Sequence, residues 1–460
     1  MTDESLAAPG VEAFGYKQEL KRSLSLFDLL VYGLVFIVPG APIAVFGIVF
    51  NASHGMVPLV YLIGLIAMLF TALSYMAMAH AFPVAGSLYT YAARSLGETV
   101  GFFAGWAILL DYLLLPALNY VACAIAMHAA LPQVPKPVWV AGMLAFATAI
   151  NYFGIQTTAR MNVILLALGL IILAVFGAVA GIALVHHVGG AHLSFAPFYN
   201  PHEISPGLIF GALSLAVLSF LGFDAISTLS EESRGGAGAV ARATMLSLCI
   251  CAFLFVAQTW LASLFVLGRT QFAEGDATNA AFYDIATTVG GYWLKFLLTV
   301  PGTFFAGIAG ALTAQAATAR LLYGMARDGK LPRLLATVSP RKVPQNAIFL
   351  VAAVTLVLGL LMVEQLELLT SMVSFGALLG FLVLHVSVVA HFVLRGGSRN
   401  WARHLAAPGI GFAIVAYVLW NAEANAKIAG LSWLAAGAVF YAVLRYMGRS
   451  TALPVDGDKI

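Results

Sequence analysis

Pro39-Gly40-Ala41-Pro42 and Leu221-Gly222-Phe223-Asp224 each interrupt an otherwise continuous apolar segment. The first segment runs from Leu24 to about Phe50 and is broken at Pro39-Gly40-Ala41-Pro42; the second runs from about Leu208 to Leu229. A helix interrupted inside a bilayer leaves backbone N–H and C=O groups without partners, each at a cost of several kcal/mol. Such interruptions persist where the freed backbone lines a cavity. Interruptions at matching places in two halves of a chain point to the solute site of a secondary transporter.

Composition places both segments in a membrane. Of 460 residues, 61% are hydrophobic and 9% are charged, against about 25% charged in soluble domains; mean hydropathy is +0.94. Apolar stretches of about 20 residues suit a bilayer core. They fall at about 24–50, 57–80, 98–129, 138–153, 160–185, 208–229, 240–267, 293–319, 346–363, 367–394, 405–420 and 428–446. The expected fold is an all-α polytopic membrane protein with 12 transmembrane helices. A first repeat (24–185, helices 1–5) and a second (208–394, helices 6–10) form a 5+5 inverted repeat with discontinuous helices 1 and 6. Helices 11 and 12 (405–446) are appended, between an N-terminal tail (1–23) and a C-terminal tail (447–460).

With this layout, nineteen of the 23 basic residues lie on the side of the termini and four (Lys136, Arg269, Lys295 and Lys427) on the other. The positive-inside rule makes both termini cytoplasmic. The N-terminal residues lack the pattern of a signal peptide. The net charge of +3 and the absence of a basic run give no argument for nucleic acid. Cys123, Cys249 and Cys251 lie in apolar stretches and read as packing residues. No metal or cofactor motif appears, and no phosphate-binding loop suggests an ATP-driven pump. The loop at 186–207 holds His186, His187, His192 and His202 without fixed ligand spacing.

Candidate site residues cluster at the breaks. Pro39, Gly40 and Ala41 form the first cradle, where two prolines thin the set of backbone donors. Asp224 ends the second break after Gly222; it either holds a substrate ammonium or caps the helix that restarts there. Phe220 and Phe223 either cover the solute or simply pack. Asp111 lies about 16 Å along the third span, near the midplane. It either binds an amine, serves as a proton carrier or joins helices as a hydrogen-bonding residue. Tyr112 follows it. His385, mid-span, is a proton-relay candidate or an interhelical hydrogen-bonding residue. Asp28 reads as a gate or cap, and Glu231 and Glu232 as partners for cytoplasmic arginines.

Several runs resemble the amino acid–polyamine–organocation superfamily of permeases: Phe82-Pro83-Val84-Ala85-Gly86-Ser87, Leu110-Asp111-Tyr112, Ser219-Phe220-Leu221-Gly222-Phe223-Asp224, Leu229-Ser230-Glu231-Glu232 and Met325-Ala326-Arg327-Asp328. Leu-Asp-Tyr and Leu-Ser-Glu-Glu are most similar to bacterial putrescine importers. The resemblance implies a central site between spans 1, 3, 6 and 8, with Tyr112 as a substrate contact and uptake driven by an ion gradient. The chain departs from its relatives in three places. Prolines replace a Gly-rich first break, Ala44 stands where putrescine importers carry an acid, and Gly169 stands near the lysine of some proton-coupled relatives.

The sequence therefore reads as a non-enzymatic importer of a small amine or amino acid in a bacterial inner membrane, with a polyamine such as putrescine leading. The coupling ion is H+, with Na+ as the alternative. A neutral or cationic amino acid permease or exchanger is the second reading. A permease-like sensor and a channel are weaker readings, since the two tails are short and no ring-forming repeat appears.

Overall fold

The computed structural model describes residues 11–422 and 424–446. The expected C-terminal tail and residues 1–10 of the N-terminal tail lie outside the described residues. The described chain is helical: α1 (Leu26–Ile37), α2 (Ala41–Ala52), α3 (Val57–Ala81), α4 (Ser87–Leu96), α5 (Glu98–Ala130), α6 (Lys136–Phe153), α7 (Ile155–Val185), α8 (Pro206–Ala216), α9 (Gly236–Ser263), α10 (Asp276–Gly290), α11 (Tyr292–Leu297), α12 (Thr303–Arg327), α13 (Gln345–Leu361), α14 (Leu366–Val388), α15 (Ala407–Trp420) and α16 (Ala424–Tyr446). Among the described residues, nine helical segments are long and apolar enough to cross a membrane, and the bent pair α1–α2 adds a tenth.

Both interruptions are present, and each has a local cause. A capping box starts α1: Ser25 Oγ accepts from the Asp28 amide, and Asp28 Oδ2 accepts from the Ser25 amide. Asp28 is thus a cap. The helix stops at Val38, whose φ of +62° is strained for a β-branched residue. Pro39 then removes a donor, Pro42 sits in the first turn of α2, and the two helices meet at 42°. In the second segment α8 gives way to a 3₁₀ turn, Val217–Phe220. Leu221 is extended and Gly222 takes a φ of +119°, a conformation that suits glycine.

The chain resumes at Phe223 as a ten-residue 3₁₀ helix to Glu232. Runs of that type rarely exceed 3–4 residues. Three hydroxyls accompany it: Ser227, Thr228 and Ser230 each donate to the carbonyl three residues back, all at 2.6 Å. The i−3 reach of those side chains matches the 3₁₀ pitch.

Around the breaks, α3 packs along α9, and α5 packs against both α12 and α14. Two helices were not foreseen from the sequence. Both α4 and α10 are amphipathic rather than apolar, so a search for bilayer-length apolar runs passes over them.

Candidate functional site

The two breaks touch. A Cβ on Gly222 would overlap the Phe36 ring, so the second break lies directly against the last turn of α1. Phe36 in turn faces the Tyr112 ring, with centroids 6.1 Å apart. The carbonyl of Pro39, freed by the first break, accepts from Gln258 Nε2 of α9 at 2.8 Å. The Ala41 amide donates to the Val38 carbonyl at 2.8 Å, and the Gly40 carbonyl accepts from Ile43. Residues 38–41 are half-buried, whereas Leu221-Gly222-Phe223-Asp224 is buried.

Asp224 occupies the first turn of the resumed helix, whose N-cap is Gly222. Its Oδ2 accepts from Tyr112 Oη at 2.6 Å. Its Oδ1 is buried without a hydrogen-bond partner. Tyr112 is held by its own backbone as well, its carbonyl accepting from Thr318 Oγ1 of α12 at 2.6 Å.

Asp111, one residue earlier on α5, is close enough to Asp224 for the two charges to interact. Its Oδ1 is also buried without a partner. On its backbone side α14 comes in at Gly376, where a Cβ would lie 2.8 Å from the Asp111 amide nitrogen. Neither carboxylate has an ion-pair partner among the described residues. A buried carboxylate without a countercharge is costly.

Aromatic rings close the region. Phe223 meets Tyr75 edge-on at 6.0 Å and Phe381 at 5.8 Å. Phe220 turns the other way, into the packing of α3 on α9 against Tyr61 and Phe255. Asp111, Tyr112, Phe220, Phe223 and Asp224 are all 2% exposed or less, so these side chains are closed off from solvent. His385 is placed elsewhere, between α3 and α15. Its ring nitrogens lie 3.0 Å from Ser74 Oγ and 3.3 Å from Thr71 Oγ1, and Gly411 packs on the ring. Its hydrogen-bond partners are hydroxyls of α3. Sequence reading missed Gln258 and Phe36. A glutamine inside an apolar span was the available signal for the first.

The face that carries the N-terminal segment is closed by buried charge. Arg320 and Glu232 form a doubly bonded pair at 2.9 Å, with side chains 3% and 0% exposed. Arg327 bonds Glu231 at 2.9 Å, and Glu231 Oε1 also accepts from the Ala85 amide. The N-terminal segment is sewn onto this layer. Ser23 and Leu24 amides donate to the Glu232 carbonyl, Gln18 donates to the Glu231 carbonyl, and Tyr323 donates to Glu19. Tyr16 lies under the Arg327 guanidinium at 3.9 Å. Burial, with the Asp328 charge, pushes the Tyr16 phenol up to about 12. Burial also raises Asp328 above the ordinary carboxylate range, partly offset by Arg327, while Tyr89 donates to it at 2.9 Å.

Comparison with known proteins agrees with this architecture. Residues 29–440 match the amino acid permease family. The chain is 33% identical over 432 residues to the low-affinity putrescine importer of Escherichia coli strain K12, covering 92% of this chain and 94% of that one. It is 26% identical over 458 residues to the branched-chain amino acid permease of Bacillus subtilis strain 168, covering 94% of each. It is also 26% identical over 465 residues to the methylthioribose transporter of that strain, covering 92% and 93%.

Proposed function

The chain belongs to the amino acid permease family of multi-pass membrane transporters, and from that premise we propose that it imports a small organic amine, a polyamine such as putrescine foremost, by alternating access coupled to protons. The observation that carries this reading is the pair of buried acids, Asp111 and Asp224. Each has a carboxylate oxygen without a hydrogen-bond partner, beside two touching helix breaks. An ammonium group supplies the missing countercharge.

The same breaks offer little to a carboxylate. Pro39 and Pro42 have no N–H to give, and the Ala41 amide is spent on Val38. This favours an amine over an α-amino acid. The similarity to a putrescine importer supports the same side.

In this reading α6 and α13 cross the membrane together with the nine apolar helices and the bent pair, giving twelve spans. At about 1.5 Å per residue, the 17 residues of α13 come close to a bilayer core. The first ten spans form two inverted repeats of five, and both termini are cytoplasmic in a bacterial inner membrane. A proton taken up by the acid pair, with sodium as the alternative ion, couples uptake to the gradient. The second reading, an amino acid permease or exchanger, is favoured by the branched-chain amino acid relative.

The deciding experiment is uptake into proteoliposomes from a panel of labelled polyamines and amino acids, with imposed pH or sodium gradients. Saturable putrescine uptake driven by an inward proton gradient is expected. Uptake confined to amino acids, or exchange that ignores both gradients, overturns the reading.

A further inference from the structure

Between α7 and α9 the apolar helices leave a crevice of about 210 Å³, lined by Leu170, Ala174, Gly177, Leu254, Ala257 and Gln258 among others. Ala174 is exposed, and a Cβ on Gly177 would meet nothing within 4 Å, so the crevice opens sideways along two membrane-crossing helices. Its inner end is Gln258, 4% exposed. The Gln258 amide is only half used. Nε2 donates to the Pro39 carbonyl at 2.8 Å and to the Leu254 carbonyl at 3.0 Å, whereas Oε1 is buried without a partner. An unused acceptor at the end of an apolar slot costs free energy and marks a place for a donor.

We propose that this crevice binds a membrane-dissolved single-chain molecule, whose hydrogen-bond-donating end meets Gln258 Oε1 and whose apolar chain runs out between α7 and α9 into the lipid. The size fits one chain end. An engineered cavity of about 150 Å³ holds benzene, while sites for drug-sized ligands start at about 300 Å³. Water is a poor occupant, because the other lining residues are apolar and a buried water needs about three polar partners. The occupant engages the same planar amide whose nitrogen holds the Pro39 carbonyl. Filling Oε1 therefore fixes that amide and steadies the first break.

The test uses the full-length protein in nanodiscs and a diazirine-bearing long-chain primary alcohol as photoprobe, read by peptide mass spectrometry. Labelling is expected on α7 and α9 peptides that border the crevice. Unlabelled alcohol should compete about fivefold better than the alkane of equal length, the weight of one neutral hydrogen bond. Gly177→Leu and Ala174→Leu, which fill the slot from its open side, should each lose the label. Equal competition by the alkane, or unchanged labelling in a folded filling variant, overturns the proposal. If neither variant folds, the alcohol–alkane comparison on the unsubstituted protein decides alone. This readout involves no transport, so its failure and the failure of the uptake reading are separately visible.

Discussion

Gly222 sits against Phe36 so closely that no side chain fits between them. The interrupted spans therefore meet at glycine, the one residue that tolerates both the contact and the φ of +119°. Gly222→Ala adds overlap and backbone strain together, and should destabilise the protein by about 2 kcal/mol or more. Thermal unfolding in detergent measures that. Uptake should fall further than the unfolded fraction accounts for, because Asp224 follows two residues later.

Tyr112 and Asp224 join α5 to the second break through a hydrogen bond of 2.6 Å. A hydrogen bond to a charged group contributes about 1.5–3 kcal/mol. Tyr112→Phe keeps the ring against Phe36 and removes only the donor. Amine uptake should drop by about tenfold to a hundredfold, with the protein still present in the membrane. Uptake kinetics of that variant beside an immunoblot check it; unchanged kinetics would detach Tyr112 from the site.

Asp111 has no hydrogen-bonding donor for its Oδ1 and no ion-pair partner among the described residues. Its removal therefore takes little from the fold. Asp111→Asn should abolish uptake while raising or preserving thermal stability, because a buried uncompensated charge is lost. Asp111→Glu should retain measurable uptake. An asparagine variant with full uptake would take Asp111 out of the mechanism.

Asp328 offers a pH test on the face carrying the N-terminal segment. Its pKa is raised, first by burial. An acid with a raised folded pKa contributes stability that is complete below its unfolded pKa, about 3.9. That contribution is lost as pH rises through the folded value. Asp328→Asn escapes the loss while keeping an oxygen for Tyr89. Its unfolding temperature should exceed that of the unsubstituted protein at pH 8, with the gap narrowing as pH falls. A gap independent of pH would contradict the assignment.

The breaks were readable because their causes are local. Prolines at 39 and 42 and the glycine at 222 act on their own backbone, and an acid deep in an apolar run is conspicuous by itself. Features set by distant contacts were not readable. The partners of Glu232 and Asp224 are 88 and 112 residues away in sequence. Phe220 and Phe223 look equivalent in the sequence, yet the turn at Leu221-Gly222 sends one into packing and the other toward Tyr75 and Phe381. The 3₁₀ winding of Phe223–Glu232 was also hidden, since serine and threonine hydroxyls reach a carbonyl three or four residues back and so do not by themselves set the winding.

Glu232 and Arg320 are the most deeply buried ion pair in the described structure, and the Glu232 carbonyl also anchors Ser23 and Leu24. The pair thus links α12, the resumed helix after the second break and the N-terminal segment. Removing one partner strands the other charge, so Arg320→Met should cost about 3–5 kcal/mol. Adding Glu232→Met removes the stranded carboxylate and should recover most of that loss, since apolar pairs often match buried ion pairs in stability. Recovery of fold need not restore transport. If this layer must open and reclose to release solute, the double variant folds but moves substrate slowly or leaks it. Unfolding temperatures of the single and double variants, read beside counterflow in proteoliposomes, separate the two effects. Normal counterflow in the double variant would leave the pair with a purely structural role.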